Sequence, residues 1–369
     1  MKFTCSQQSL SKALNIVSKA VSSRSTLPIL KGILLKAEDG GILKISASDL
    51  DISIEKKMEG VNIFENGSCV VSAKLFTDIV RKLPDEDVMI EKKDEGQILV
   101  KTTMSEFGII GLPADEFPEI GEIEKEETLT FEKEVFTEMI RRTSFSASID
   151  ESKGIIVGVL MELEENSTNM IAIDGFRMAV VREEIKNENK NKIIIPAKIM
   201  GDISKILYDI EKEDKVEMIL SKKKAMLLCE NVKIVVRLLD GEFIRYKDIL
   251  PKERRCKVTV KKAFFHASME RASILSKEGK NNLIKFSINE NNLIITSRSD
   301  EGNVREEIMI ERDGVDIEIG FNAKFILDIL KVIEDEEITL ELVSSIKPCV
   351  IKPVSGNNYE YLVLPVKIS

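Results

Sequence analysis

A seven-residue pattern recurs three times in this chain of 369 residues. It reads Ala73-Lys74-Leu75-Phe76-Thr77-Asp78-Ile79, then Ala197-Lys198-Ile199-Met200-Gly201-Asp202-Ile203, then Ala323-Lys324-Phe325-Ile326-Leu327-Asp328-Ile329. The spacings from Lys74 to Lys198 to Lys324 are 124 and 126 residues. Each copy follows an apolar β-type run: Cys69-Val70-Val71, Ile193-Ile194-Ile195 or Ile317-Glu318-Ile319. Each is followed by an acidic turn and another strand-like run. One short match is within reach of chance; three in the same context at nearly equal spacing are not. The chain therefore reads as three copies of one unit of roughly 120 residues, and a period that long limits the fold more than any local motif. The expected domains are 1–121, 122–251 and 252–369, joined at Pro- and charge-rich stretches near 120–128 and 251–257.

Each repeat carries two helical patterns. In the first, Leu10, Ala13, Leu14, Val17, Ala20 and Val21 mark one face of a helix over about 9–22. The Ala-Lys segment gives a second helix over about 72–83. The matching spans are 132–146 and 196–208, then 261–277 and 322–333. About eight short, alternating strand patterns complete each repeat. The implied fold class is α+β: three tandem domains, each with two helices covering one side of a large antiparallel surface.

Hydrophobic content of 43% is ample for packed cores. No apolar run approaches the ~20 residues that span a bilayer, and Met1 to Ser6 has no apolar signal-peptide core. Cys5, Cys69, Cys229, Cys256 and Cys349 form no Cys-x-x-Cys pair. They read as reduced, buried thiols of a cytoplasmic protein.

The net charge of −9 argues against a simple nucleic-acid binder, but its distribution is uneven. Over the spans above the six helices sum to +9, so the rest of the chain sums to −18. Lysines and arginines decorate any solvated helix, and that is the plain alternative. The sharper reading is that the helices of all repeats face one polyanion while the acidic remainder repels it. Few aromatics are free on these helices for base stacking, which suits a duplex backbone better than a single strand.

Nothing in the sequence calls for catalysis. It contains no Gly-rich phosphate loop, no metal-ligand cluster and no Ser-x-x-Lys. Gly40-Gly41 reads as a hairpin turn, and the single histidine, His266, sits on a basic helix with no partner to orient it. No catalytic residue, metal or cofactor is assigned. A repeat-built protein scaffold whose helices never meet DNA, or an enzyme on the same frame, are the competing readings.

At this point the chain resembles the beta subunit of bacterial DNA polymerase III, the sliding-clamp family. The resemblance rests on Met1-Lys2-Phe3-Thr4, Arg24-Ser25-Thr26-Leu27-Pro28-Ile29-Leu30, the three Ala-Lys helices, Asp174-Gly175-Phe176-Arg177-Met178-Ala179, Ala272-Ser273-Ile274-Leu275-Ser276 and Leu364-Pro365. It covers the whole chain. It implies a processivity factor: a head-to-tail homodimer forming a six-domain ring around duplex DNA, with helices lining the hole and no sequence specificity. It implies DNA contacts at Arg24 and Lys74. The helix argument adds Lys12, Lys19, Arg81, Lys82, Arg142, Lys198, Lys205, Lys324 and Lys331. Asp150 stands where some relatives have an uncharged polar DNA contact.

The resemblance also implies a pocket that takes short peptide motifs from the replicative polymerase, the clamp loader and other DNA enzymes. Its positions here are Ile156, Ile173, Gly175, Phe176, Arg177, Met178, Ile244, Ile249, Pro348, Leu362, Val363, Leu364, Pro365 and Val366. Ile244 replaces a proline and Asp248 a basic residue of some relatives. For the dimer contact it implies Phe107 packing near Ile274 and Leu275, with Asp300, Glu301, Glu306 and Glu307 toward basic residues of the partner copy.

Overall fold

The computed structural model describes residues 1–22, 27–187, 189–278 and 282–368. Among them lie six α-helices and 26 strands. The helices are α1 (Gln7–Val17), α2 (Ala73–Lys82), α3 (Lys133–Thr143), α4 (Ala197–Tyr208), α5 (Lys262–Glu278) and α6 (Ala323–Leu330), two per repeat. They fall where the apolar spacing puts them, within a few residues. α1 begins at Gln7 rather than Ser9 because Ser6 caps it, its hydroxyl accepting from the Ser9 amide at 3.2 Å. A 3-10 turn, Ser18–Ala20, takes up most of the remaining expected span. α2 buries Ala73, Phe76 and Val80 and leaves Lys74, Arg81 and Lys82 exposed. Those buried offsets are one helical face.

The chain divides into two compact units. The first is Met1–Val135 with Asp202–Leu238, and the second is Phe136–Gly201 with Leu239–Ser369. The middle repeat is thus shared between them, and sheet pairing supplies the reason. In the first unit a 13-stranded sheet runs from strand Glu127–Glu132 to strand Asn62–Glu65. Within it Val232–Arg237, the last strand of the middle repeat, lies antiparallel to Ile52–Met58 of the first repeat, with Ile234 opposite Ile54. In the second unit a nine-stranded sheet contains the equivalent joint. There Arg177–Glu183 of the middle repeat pairs antiparallel with Tyr359–Val363 of the third, Met178 opposite Leu362. A four-stranded sheet, Gly302–Met309, Asn292–Ser299, Leu283–Asn289 and Ile317–Asn322 in spatial order, completes the second unit.

Strands bury alternate residues as a pleat requires: Cys256, Val258 and Val260 are buried along strand Cys256–Lys261. Under α5 a chain of rings, Phe265, Phe286 and Phe321, packs with successive centroids 5.7 and 5.3 Å apart. All five cysteines are free and buried. Burial pushes the Cys5 thiol up to about 12 and those of Cys69 and Cys229 up to about 11, so all three stay in the unreactive thiol form. No described helix is long and apolar enough to cross a membrane.

Candidate docking groove and basic helix faces

One face of the nine-stranded sheet carries a continuous apolar row. Ile194 is paired opposite Leu160, Leu160 opposite Ile171, and Ile171 opposite Val180. Ile173 lies opposite Met178, Met178 opposite Leu362, and Leu362 opposite Val350. Register alone puts these side chains together, since paired residues point to the same face. Leu239, Phe243, Tyr246 and Leu250, from the segment that leads out of the middle repeat, pack on this row. Tyr246 is only 4% exposed, whereas Ile244 and Ile249 on either side of it are 41% and 38% exposed. A cleft of about 700 Å³ lies between the Gly241–Asp248 stretch and Leu160, Glu162, Lys192 and Ile194.

The same sheet face continues as a polar row. The Glu162 side chain is 1% exposed. It accepts from the Tyr246 hydroxyl at 2.8 Å and pairs with the ammonium groups of Lys192 at 2.8 Å and Lys247 at 3.2 Å. Burial alone would raise its pKa, but these three donors outweigh it and hold the carboxyl at about 2. Neither Tyr246 nor Glu162 was singled out from the sequence. The signal was there: Glu162 is the lone acid inside the apolar run Val159 to Leu163, and Tyr246 the lone aromatic between Arg245 and Lys247.

The groove residues expected from the sequence separate by face. Ile173, Met178 and Leu362 lie in the apolar cluster, and Leu364 packs against it. Ile244 alone of the expected set lines the cleft among the described residues. Phe176 is 56% exposed on the turn after Asp174; its ring stacks on Phe325 at 6.2 Å, and the Lys153 ammonium lies 5.5 Å from it. Gly175, with φ of 96°, gives that turn its left-handed step. Ile156, Pro348, Pro365 and Val366 are half-buried. Leu364 donates its amide to the Phe176 carbonyl at 2.9 Å and Val366 to Gly320 at 2.8 Å, so the tail is tied at two points.

Arg177 and Val363 are oriented differently from Met178 and Leu362. They are opposite each other in the register and alternate with Met178 and Leu362, so they point to the other face of the sheet. Arg177 is 8% exposed there. Its guanidinium donates to Asp174 at 2.9 Å, to Asp328 of α6 at 2.8 Å and to the Phe145 carbonyl at 2.8 Å, and lies 4.8 Å from the Phe325 ring. It ties the Asp174 turn to α6 and to the Phe145 carbonyl.

The basic helix residues also divide. Lys74, Lys82 and Lys198 are exposed, with no ion-pair partner found among the described residues. Lys12 and Lys19 lie near Glu211 at 3.9 Å and Asp209 at 3.8 Å. Arg81 pairs with Asp78 at 2.7 Å, Lys205 with Asp202 at 3.5 Å, and Lys324 and Lys331 with Asp328 at 2.6 and 4.0 Å. The repeated Asp is therefore the internal counter-ion of its own helix. Arg142 is the least exposed of the group: its side chain is 11% exposed, with its guanidinium 4.9 Å from the Tyr359 ring. It is packed into the second unit and does not project from α3. Arg24 lies outside the described residues. Asp150 accepts from the Ser152 amide at 3.1 Å and hydroxyl at 2.7 Å, capping its own turn.

Of the residues expected at a dimer contact, Phe107 and Ile274 are 39% and 65% exposed and Leu275 is half-buried. Strand Glu106–Leu112 pairs through Glu106 to Ile110 on one side but on the other only through Gly111 and Leu112. Gly302–Met309 is an edge strand of its sheet. Asp300 and Glu301 are exposed. Glu306 and Glu307 are already neutralised within the chain, Glu306 by Arg271 at 2.5 Å and Glu307 by Arg305 at 2.8 Å. His266 faces one carboxylate, Glu270 at 3.7 Å on the next turn. No group of three metal-ligating side chains occurs among the described residues.

These features define a tandem-repeat binding protein: antiparallel sheets zipped across repeat boundaries, repeated helices with exposed lysines, and an apolar sheet face under an anchored segment. Residues 1–121, 130–244 and 247–367 match, in that order, the N-terminal, central and C-terminal domains of the DNA polymerase III beta subunit. The beta sliding clamp of Staphylococcus aureus is 32% identical over 377 aligned residues, covering 100% of this chain and 99% of the relative. The crystal structure of the Bacillus subtilis sliding clamp superposes with a TM-score of 0.95 at 32% identity, each chain covered in full. That of the Pseudomonas aeruginosa clamp bound to griselimycin gives 0.92 at 27% identity, again over both full chains. The chain belongs to the DNA polymerase III beta subunit family, the beta sliding clamps. It is a processivity clamp, a non-catalytic accessory subunit of the polymerase.

Proposed function

We propose that this clamp works as a cytoplasmic, head-to-tail homodimer closed around duplex DNA, built from domains 1–121, 122–251 and 252–369. The observation that carries the reading is that Lys74, Lys82 and Lys198 are exposed on helices of an otherwise acidic chain. A duplex presents phosphates without regard to sequence, so point charges on helix faces hold it loosely and let it slide. In this reading Lys74, Lys198 and Lys324 bear on the phosphates, and Arg81, Lys205 and Lys331 add to the field. The unpaired stretch of strand Glu106–Leu112 meets the Gly302–Met309 edge of the next copy, bringing Phe107 to Ile274 and Leu275. A heterologous contact of this kind closes into a ring if its rotation allows. The groove framed by Ile173, Met178, Leu362, Leu364, Ile244 and Ile249 docks apolar peptide segments of the polymerase and the clamp loader.

The test is retention on DNA. Loaded on nicked circular DNA, the clamp should be retained through gel filtration and lost once the circle is linearised. Lys74→Glu with Lys198→Glu should weaken association with DNA while leaving the melting temperature within about 3 °C, because surface substitutions cost little. Retention that is indifferent to linearisation would count against a ring, and retention indifferent to charge reversal against this inner face.

A further inference from the structure

Ile244 and Ile249 belong to an irregular segment, yet the proposed groove needs them held at fixed positions. The 239–250 stretch has one short 3-10 turn, Tyr246–Asp248, and its backbone meets a strand where the Leu239 amide donates to the Ile194 carbonyl at 2.9 Å. Beyond that contact, what holds it is side-chain anchoring. The Tyr246 ring is buried on the apolar row, and its hydroxyl ends on Glu162, an acid almost wholly removed from water. Lys192, from the neighbouring strand, and Lys247, from the segment itself, close on the same carboxylate. Asn169, opposite Glu162 in the sheet, donates to it from the other side at 3.4 Å. Beside the apolar contacts of Leu239, Phe243 and Leu250, the segment's polar side-chain anchor is this one carboxylate, between the two exposed isoleucines.

We propose that Tyr246 and Glu162 form a latch that presets the outer wall of the docking groove, so that Tyr246 is a positioning residue for partner peptides without touching them. This rests on the docking reading above. A wall that is already ordered does not have to be ordered by the incoming peptide, and that saving appears as affinity. With the hydroxyl removed, the ring still fills its place on the apolar row. The 241–248 stretch then keeps only the solvent-exposed Lys247 ion pair to Glu162, and the cleft of about 700 Å³ beneath it gives it room to move.

The experiment titrates griselimycin, the compound bound to the related Pseudomonas aeruginosa clamp, into the full-length protein by calorimetry. Wild type, Tyr246→Phe, Glu162→Gln, the double variant and Ile249→Asp are compared at a temperature where circular dichroism shows all to be folded. Tyr246→Phe should weaken binding roughly five- to tenfold, as expected for loss of a hydrogen bond to a charged group. The double variant should be no weaker than the worse single one, because both remove the same latch. Tyr246→Phe binding like wild type while Ile249→Asp fails would overturn the latch and leave the groove standing. Additive losses in the double variant would also overturn it. No binding by wild type, or full binding by Ile249→Asp, would sink the docking reading itself.

Discussion

Arg177 shows how much one side chain can be asked to hold. It is nearly buried, and its fork is divided among Asp174, Asp328 and a backbone carbonyl, with Phe325 stacked on its plane. Removing it would leave the nearly buried Asp174 without its ion-pair partner and empty the space among its acceptors, so Arg177→Ala should lower the unfolding free energy of the second unit by about 3–5 kcal/mol in urea titrations. Lysine should not rescue it, because a single ammonium cannot satisfy three divergent acceptors. A loss under about 1 kcal/mol would mean the network is decorative. Glu162 gives the matching prediction in pH. Its folded carboxyl sits at about 2, below the ordinary value of 4.5, so the folded state holds its proton more weakly than the unfolded chain. Its contribution is present in full above about pH 5 and is lost as pH falls from there toward 2. Stability measured over that window should decline, and Glu162→Gln should be less stable at pH 7 with a shallower decline. Equal slopes would mean the acid is not held as described. The sequence marked Arg177 but not the face it takes, since a run of residues does not state which side of its strand meets the helices.

At the scale of the helix, the threefold pattern is longer than its first reading. Lys74, Asp78 and Arg81, then Lys198, Asp202 and Lys205, then Lys324, Asp328 and Lys331 repeat with spacings of four and three residues. That spacing lines acid and bases along one face. In each copy the Asp pairs with the base three residues on. Each exposed pair is worth at most about 1 kcal/mol, so its consequence is less in stability than in local charge. Asp202→Asn should free Lys205 and raise the salt concentration needed to strip the clamp from DNA, with little change in melting. An unchanged salt response would mean that α4 does not face the phosphates. Asp328 should behave differently, because it also carries Arg177. Helix positions and their apolar faces were legible because helical spacing is local. The burial of Arg142 was not legible, because its neighbours, Tyr359 and Tyr361, arrive from the far end of the chain.

For the whole molecule the open quantity is assembly. Small-angle scattering with an absolute mass should give twice 41.5 kDa and a distance distribution with a central hole. A compact particle of single mass at micromolar concentration would overturn the ring. The threefold period, the α+β class and the basic helices were all readable from the residues, because periodicity and charge are properties of the chain itself. The division into two compact units was not readable, because it follows from strands that pair across repeat boundaries, such as Arg177–Glu183 with Tyr359–Val363. The same register decides that Met178 and Leu362 share the groove face while Arg177, 151 residues from Asp328, reaches α6 on the other. Local sequence determines which residues prefer burial. Which of them meet, and which acid neutralises which base, is decided only when distant strands align, because a shift of one residue turns every side chain to the opposite face.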